Sequence, residues 1–112
     1  MPSDQVRRRL QDIKINIARI RRHIAGLDEA GFAADEKTRD AVERCLERIS
    51  EAARKLGDGL DAAYPEIALP KLRQFGSVLR HDYDLIEPGL VWLTVATRLG
   101  LLERMCDLEL SR

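Results

Sequence analysis

Seven apolar residues, Val6, Leu10, Ile13, Ile17, Ile20, Ile24 and Leu27, follow one another at alternating spacings of four and three. At 3.6 residues per turn this pattern lines one face of a helix, whereas a strand would divide the same residues between its two faces. The opening quarter of the chain must therefore lay that seam on another element. Arg8, Arg19 and Arg22 fall opposite the seam, where water solvates them. Ser3 suits an N-cap, because its hydroxyl can accept a bond from an early backbone N–H. Gly26 to Gly31 marks the exit.

A second helix is expected from about Asp35, where Thr38, Val42, Cys45, Ile49, Ala52 and Leu56 repeat the spacing and Gly57 with Gly59 ends it. Residues 58–69, with Tyr64-Pro65, read as a connection. Pro70 suits the first turn of a third helix, where its missing N–H costs nothing. Leu72, Phe75, Leu79 and Tyr83 then form a buried stripe, with Gly76 permitting close approach. Pro88 opens a fourth helix through Val91, Trp92, Val95, Leu99 and Leu102. Gly100 either kinks it or separates a last helix carrying Met105, Cys106 and Leu108. Trp92 is placed in the core, with a dimer seam as the alternative. The expectation is an all-α, antiparallel up-and-down bundle of four to five helices, one domain over residues 1–112. The Gly and Pro breaks argue against a coiled-coil rod.

Composition narrows the function classes. With 45% apolar and 34% charged residues the chain has enough to bury, so disorder is excluded. A net charge of zero gives no overall pull on nucleic acid. The charge is nevertheless uneven: residues 1–27 hold seven Lys/Arg against two Asp/Glu, and residues 28–69 hold six against eleven. Mutual neutralisation of the first two helices is the favoured reading, and a phosphate-binding face on the first is the alternative. Cys45 and Cys106 stand at no metal-ligand spacing, and Cys45 reads as a small core residue. The amino terminus carries no apolar leader and no stretch is long enough for a membrane span, so a cytoplasmic protein is expected. Neither a phosphate-binding glycine loop nor a metal cluster nor a Ser–His–Asp order is visible, and no cofactor or metal is expected.

One stretch has the residue types for chemistry. His23 lies among arginines beside the first seam and reads as a surface residue. His81 ends the run Arg73-Gln-Phe-Gly-Ser-Val-Leu-Arg-His81. At about 100° per residue, a helix there sets Arg73, Ser77, Arg80 and His81 in one polar arc beside the apolar stripe. An imidazole working near neutral pH can take a ribose 2′-proton or protonate a leaving 5′-oxygen. A guanidinium can grip the non-bridging phosphate oxygens. RNA is the matching substrate, since it alone offers an internal 2′-OH nucleophile. A merely solvated helix face is the bland reading of the same residues.

The chain as a whole resembles the HepT-like branch of the HEPN superfamily. The resemblance rests on the amphipathic opening helix, the block from Phe32 to Ala53, Tyr64-Pro-Glu-Ile, the element His81-Asp-Tyr83-Asp and Val91-Trp92. It implies a metal-independent RNA endonuclease, the toxin of a type VII toxin–antitoxin pair. It further implies a homodimer whose two Arg/His motifs share one cleft, and a nucleotidyltransferase antitoxin that adds AMP to the tyrosine matching Tyr83. On that reading Arg80 and His81 are catalytic, Arg73 and Ser77 bind phosphate, and AMP on Tyr83 repels RNA by its charge and bulk. The chain departs from the usual motif, in which an Arg is followed by a polar residue, commonly Asn, and four to six residues separate that Arg from the His. Gly76 and Ser77 occupy the positions five and four before His81, and the arginines stand at 73 and 80. The alternative implied by this departure is a catalytically weak or inactive HEPN module that serves as partner or substrate of a nucleotidyltransferase.

Overall fold

The opening seam forms α1, Asp4–Ile24, and Ser3 caps it by accepting a hydrogen bond from the Val6 amide at 3.2 Å. The computed structural model describes residues 2–112, with Tyr83 described by its backbone only. Leu10, Ile13, Ile17 and Ile20 are wholly buried, and full burial of such side chains stabilises by about 1.5–3 kcal/mol each. Leu27 lies beyond the helix end and is half-buried.

The turn after α1 contains an element that periodicity did not reveal. Glu29–Ala34 forms a short α2, capped by Asp28, whose carboxylate accepts from the Gly31 amide at 2.8 Å. Its six residues are too few to display a repeat. Phe32 is completely buried, and its ring stands 5.4 Å from that of Trp92. Trp92 is thus half-buried against the core edge.

Helix α3, Glu36–Leu56, starts at Asp35, whose carboxylate accepts from both the amide and the hydroxyl of Thr38. Those bonds hold the Asp35 carboxyl below its ordinary pKa. Gly57 ends the helix at φ +76, a conformation that glycine adopts without a Cβ penalty. Helix α3 packs along both α1 and α4. A single 3₁₀ turn, Pro65–Ile67, leads into α4, Leu69–His81, with Pro70 in its first turn.

Helix α5 runs unbroken from Pro88 to Leu110. Gly100 therefore does not separate a final helix: it lies within α5 and is exposed with open space around it. Helix α5 lies antiparallel on α1, as shown by Arg21–Glu103 at 2.9 Å, Lys14–Asp107 at 2.5 Å and Arg7 Nη1 donating to the Leu110 carbonyl at 3.1 Å. The Tyr64 hydroxyl donates to the buried Glu109 carboxylate at 2.5 Å, pinning the connection to the end of α5.

The all-helical bundle expected from the sequence is the one observed, with five α-helices among the described residues. Charge pairing, however, follows a different plan. Among the described residues, α1 makes its interhelical ion pairs with α5, while Glu47 and Glu51 pair with Arg44 and Arg54 of their own helix α3. Among the described residues no ion pair joins the basic first helix to the acidic second one, as the favoured reading would have it. Glu47 and Glu51 each have an arginine three positions away on the same helix and are paired locally. No described helix is long and apolar enough to cross a membrane.

Candidate functional site

Helix α4 positions the residues of interest; Leu72 and Leu79 seat its apolar face in the core, and its polar face is held at one end only. At its middle Gly76 is buried against α3: a Cβ at this position would overlap the side chain of Ser50. Ser50 is itself buried and donates from its hydroxyl to the Arg73 carbonyl at 3.3 Å. One turn earlier, Arg73 grips Asp61 with two hydrogen bonds, at 3.1 and 2.6 Å, and reaches the Gly57 carbonyl at 3.4 Å. This fork ties α4 to the end of α3 and the following connection. It also holds the Asp61 carboxyl below its ordinary pKa, chiefly through the hydrogen bonds from Arg73.

The second half is different. Ser77, Arg80 and His81 are exposed, and among the described residues none of their side chains makes a hydrogen bond or ion pair. The helix ends at His81, where the Asp82 amide closes the last turn on the Val78 carbonyl at 2.8 Å. Arg80 and His81 thus stand in the last turn, where positive charge is favoured by the helix dipole. A second 3₁₀ turn, Tyr83–Leu85, follows. The Tyr83 side chain, and with it both the proposed AMP acceptor and the expected buried position, lies outside the described residues.

The four polar residues of the arc share a helix face but not a common centre. Arg73 turns toward Asp61, while Arg80 lies along α4, with Nη1 3.6 Å from the place a Gly76 Cβ would take. Arg80 there borders a groove of about 480 Å³ between α1 and α3. Arg9, Arg19, Arg44, Arg48 and Lys55 also line it, against Asp12, Glu47 and Glu51. Its acids are matched already: Asp12 by Arg9 at 3.5 Å, Glu47 by Arg44 at 2.9 Å, and Glu51 by Arg54 at 2.6 Å. Sequence reasoning missed this groove. The signal present was Arg44, Arg48 and Lys55 recurring along one side of α3, with Asn16 standing inside an otherwise apolar stretch of α1.

Large apolar side chains stand exposed along α5 and in the turn before it. Leu90, Leu93, Leu101 and Leu108 are exposed on α5, and Leu85 is 72% exposed in the preceding turn. At about 100° per residue the four α5 leucines fall within one arc of that helix, opposite Val91, Val95, Leu102 and Cys106. Helix α5 is thus apolar on two sides, one serving the core and the other unpartnered. An apolar groove of about 320 Å³, lined by Leu72, Phe75, Val78, Leu90 and Thr94, separates α4 from α5. Cys45 and Cys106 are buried core thiols, and burial pushes Cys106 up to about 12. His23 is exposed on α1.

Comparisons with known proteins agree with this architecture. The model of the family described as "Ribonuclease HepT-like" matches residues 13–108. A protein of Methanocaldococcus jannaschii named as a candidate RNase is 32% identical over 92 residues, covering 82% of this chain and 76% of its own. A second candidate RNase of that organism is 30% identical over 94 residues, covering 84% and 81% of the two chains. A protein of Thermococcus cleftensis named "Probable ribonuclease HepT" is 30% identical over 86 residues, covering 77% and 78%. No solved structure matches the chain. On the strength of the family match over most of its length, this chain belongs to the HepT-like ribonuclease family of the HEPN superfamily.

Proposed function

We propose that this protein is a metal-independent RNA endonuclease that acts as a homodimer, with His81 and Arg80 as its catalytic residues. The observation that carries the reading is an exposed, uncommitted Arg80–His81 pair at the end of α4 in a chain of a ribonuclease family. In this mechanism one His81 removes the 2′-proton, the 2′-oxygen attacks phosphorus, and the bond to the 5′-oxygen breaks. The partner subunit's His81 supplies a proton to that leaving oxygen, and the products are a 2′,3′-cyclic phosphate and a free 5′-hydroxyl. Arg80 stabilises the charge gathered on the non-bridging oxygens. Arg73, bound to Asp61, acts by holding α4 in place, and Ser77 lies on the phosphate side of the same face.

A homodimer is supported by the second apolar side of α5, since several leucines exposed along one side of a helix suit an interaction surface. Leu85 and Leu90 flank the segment that follows His81, so covering this side with a second copy would draw two histidines toward each other. The wider biological reading is a type VII toxin held in check by a nucleotidyltransferase antitoxin that adds AMP to Tyr83, in the cytoplasm. Expression without the antitoxin should then stop growth and fragment cellular RNA, and His81→Ala should restore both. Growth arrest that persists in His81→Ala would remove His81 from the mechanism. Mass spectrometry after incubation with the antitoxin and ATP should locate one AMP on Tyr83.

A second reading has its own observation. Gly76 occupies a position where the usual motif has a polar or basic side chain, and its contact with Ser50 leaves no space for one. This favours a module that dimerises and is modified without cutting RNA. Purified dimer that binds the antitoxin yet leaves every tested RNA intact would establish that reading in place of the first.

A further inference from the structure

We propose that the groove between α1 and α3 is a track for the backbone of single-stranded RNA, leading past Arg80 to His81, and that Asn16 in its wall recognises a ribose hydroxyl. The inference rests on the ribonuclease reading above and adds to it a substrate path outside the dimer cleft.

Charge is the first argument. Six cationic side chains and three acidic ones line the groove. Because the acids are engaged by Arg9, Arg44 and Arg54, Arg19, Arg48 and Arg80 are left without an ion-pair partner among the described residues. None of these three makes an ion pair or side-chain hydrogen bond among the described residues. Arginines held apart and unpaired along a concave surface suit a ligand with repeated negative charge. From Arg9 to Arg19 the α1 wall rises about 15 Å, at 1.5 Å per residue. That is longer than a single phosphate requires, and it matches an extended polyanion.

The second argument is independent of charge. Asn16 lines the groove and is only 5% exposed. Its Nδ2 donates to the Asp12 carbonyl at 2.9 Å, and this fixes the amide orientation, because a carbonyl oxygen can only accept. Its Oδ1 is buried and has no hydrogen-bond partner among the described residues. A buried acceptor without a donor is costly, and since Oδ1 is closed off in this conformation, a ligand hydroxyl or amine reaches it once the Asn16 side chain turns toward the groove. A ribose 2′-hydroxyl can donate to it, and deoxyribose has none. Ile15, 50% exposed beside it, offers an apolar surface to a base.

The test uses the full chain carrying His81→Ala, so that RNA is bound and not cut. Fluorescence anisotropy with a labelled single-stranded RNA of mixed sequence, and with DNA of the same sequence, is followed across salt concentrations. Adding Arg19→Gln and Arg48→Gln should weaken RNA binding about tenfold and lower the salt slope by about 1.4, or 0.7 for each lost phosphate contact. The control pair Arg8→Gln and Arg22→Gln makes the same change in net charge outside the groove and should leave the slope unchanged. If the two pairs behave alike, the track is overturned. Asn16→Ala, checked for folding by circular dichroism, should narrow the preference for RNA over DNA, and an unchanged preference overturns the ribose contact. The two readings fail separately. A chain with His81 intact that never cleaves RNA, yet loses binding on groove substitution, retains the track and loses the nuclease. Cleavage together with binding indifferent to Arg19 and Arg48 retains the nuclease and loses the track.

Discussion

The two halves of α4 share one helix and one polar face, yet they are treated in opposite ways by the rest of the molecule. The part up to Gly76 is fixed: Gly76 meets Ser50 with no room for a Cβ, and Arg73 is forked onto Asp61. The second half ends in Ser77, Arg80 and His81, all exposed and without partners among the described residues. A charged residue already bound within the fold has little freedom to bind a substrate, whereas one in water beside a rigid support keeps its full capacity. The helix is therefore an anchor at one end and a reactive tip at the other. Substitutions in the anchor should alter stability, and substitutions in the tip should alter chemistry.

The largest effect that would break this contrast lies at the tip. His81→Ala should reduce the rate of RNA cleavage by about 10²–10⁴, the usual contribution of a positioned acid or base, with the melting temperature unmoved. A comparable loss of folding stability would mean that His81 belongs to the anchor after all. Next comes Gly76→Ala. The added methyl must displace Ser50, and overpacking of this kind costs about 1–3 kcal/mol, read as a lower midpoint in urea denaturation. In a Ser50→Gly background, which lacks the overlapping atoms, Gly76→Ala should cost much less than it does beside Ser50. If Gly76→Ala leaves the midpoint in place, the contact between α3 and α4 is looser than the geometry implies.

The smallest effect sharpens the contrast through pH. Asp61 is held below its usual carboxylate value of 3.8 by the hydrogen bonds from Arg73. A group whose pKa is depressed on folding contributes stability that is complete above the unfolded value and is lost as pH falls through the folded one. Asp61→Asn should therefore lower the melting temperature modestly at neutral pH and hardly at all in strong acid. An equal effect at both extremes would show that the fork is not what ties α4 down. The pair is partly exposed, which keeps the effect below that of Gly76→Ala.

Much of the fold was legible because burial leaves a periodic mark. The seams of α1 and α3, the caps at Ser3 and Asp35 and the stop at Gly57 all appear in the sequence at the positions where the chain uses them. Helix α2 was not legible, because six residues complete too few turns to show a period. The continuity of α5 through Gly100 was also hidden. A glycine lowers helix propensity by about 1 kcal/mol, and the packing of Leu99 and Leu102 on the core outweighs it.

The candidate site divides along the same line. Sequence alone placed Arg73, Ser77, Arg80 and His81 on one helical arc, because the angle per residue is a property of the backbone. It could not say that Arg73 would meet Asp61, twelve residues away, while Arg80 would be left without a partner. Pairing depends on which chain segments become neighbours, and that is a matter of tertiary packing. The same holds for charge. The basic excess of residues 1–27 is plain in the sequence, but only the fold decided that α5 would neutralise one side of α1 and that α3 would leave the other open. Periodicity and capping are local and can be read along the chain; the partner a charge finds is fixed by distances through space, which exist only once the helices have packed.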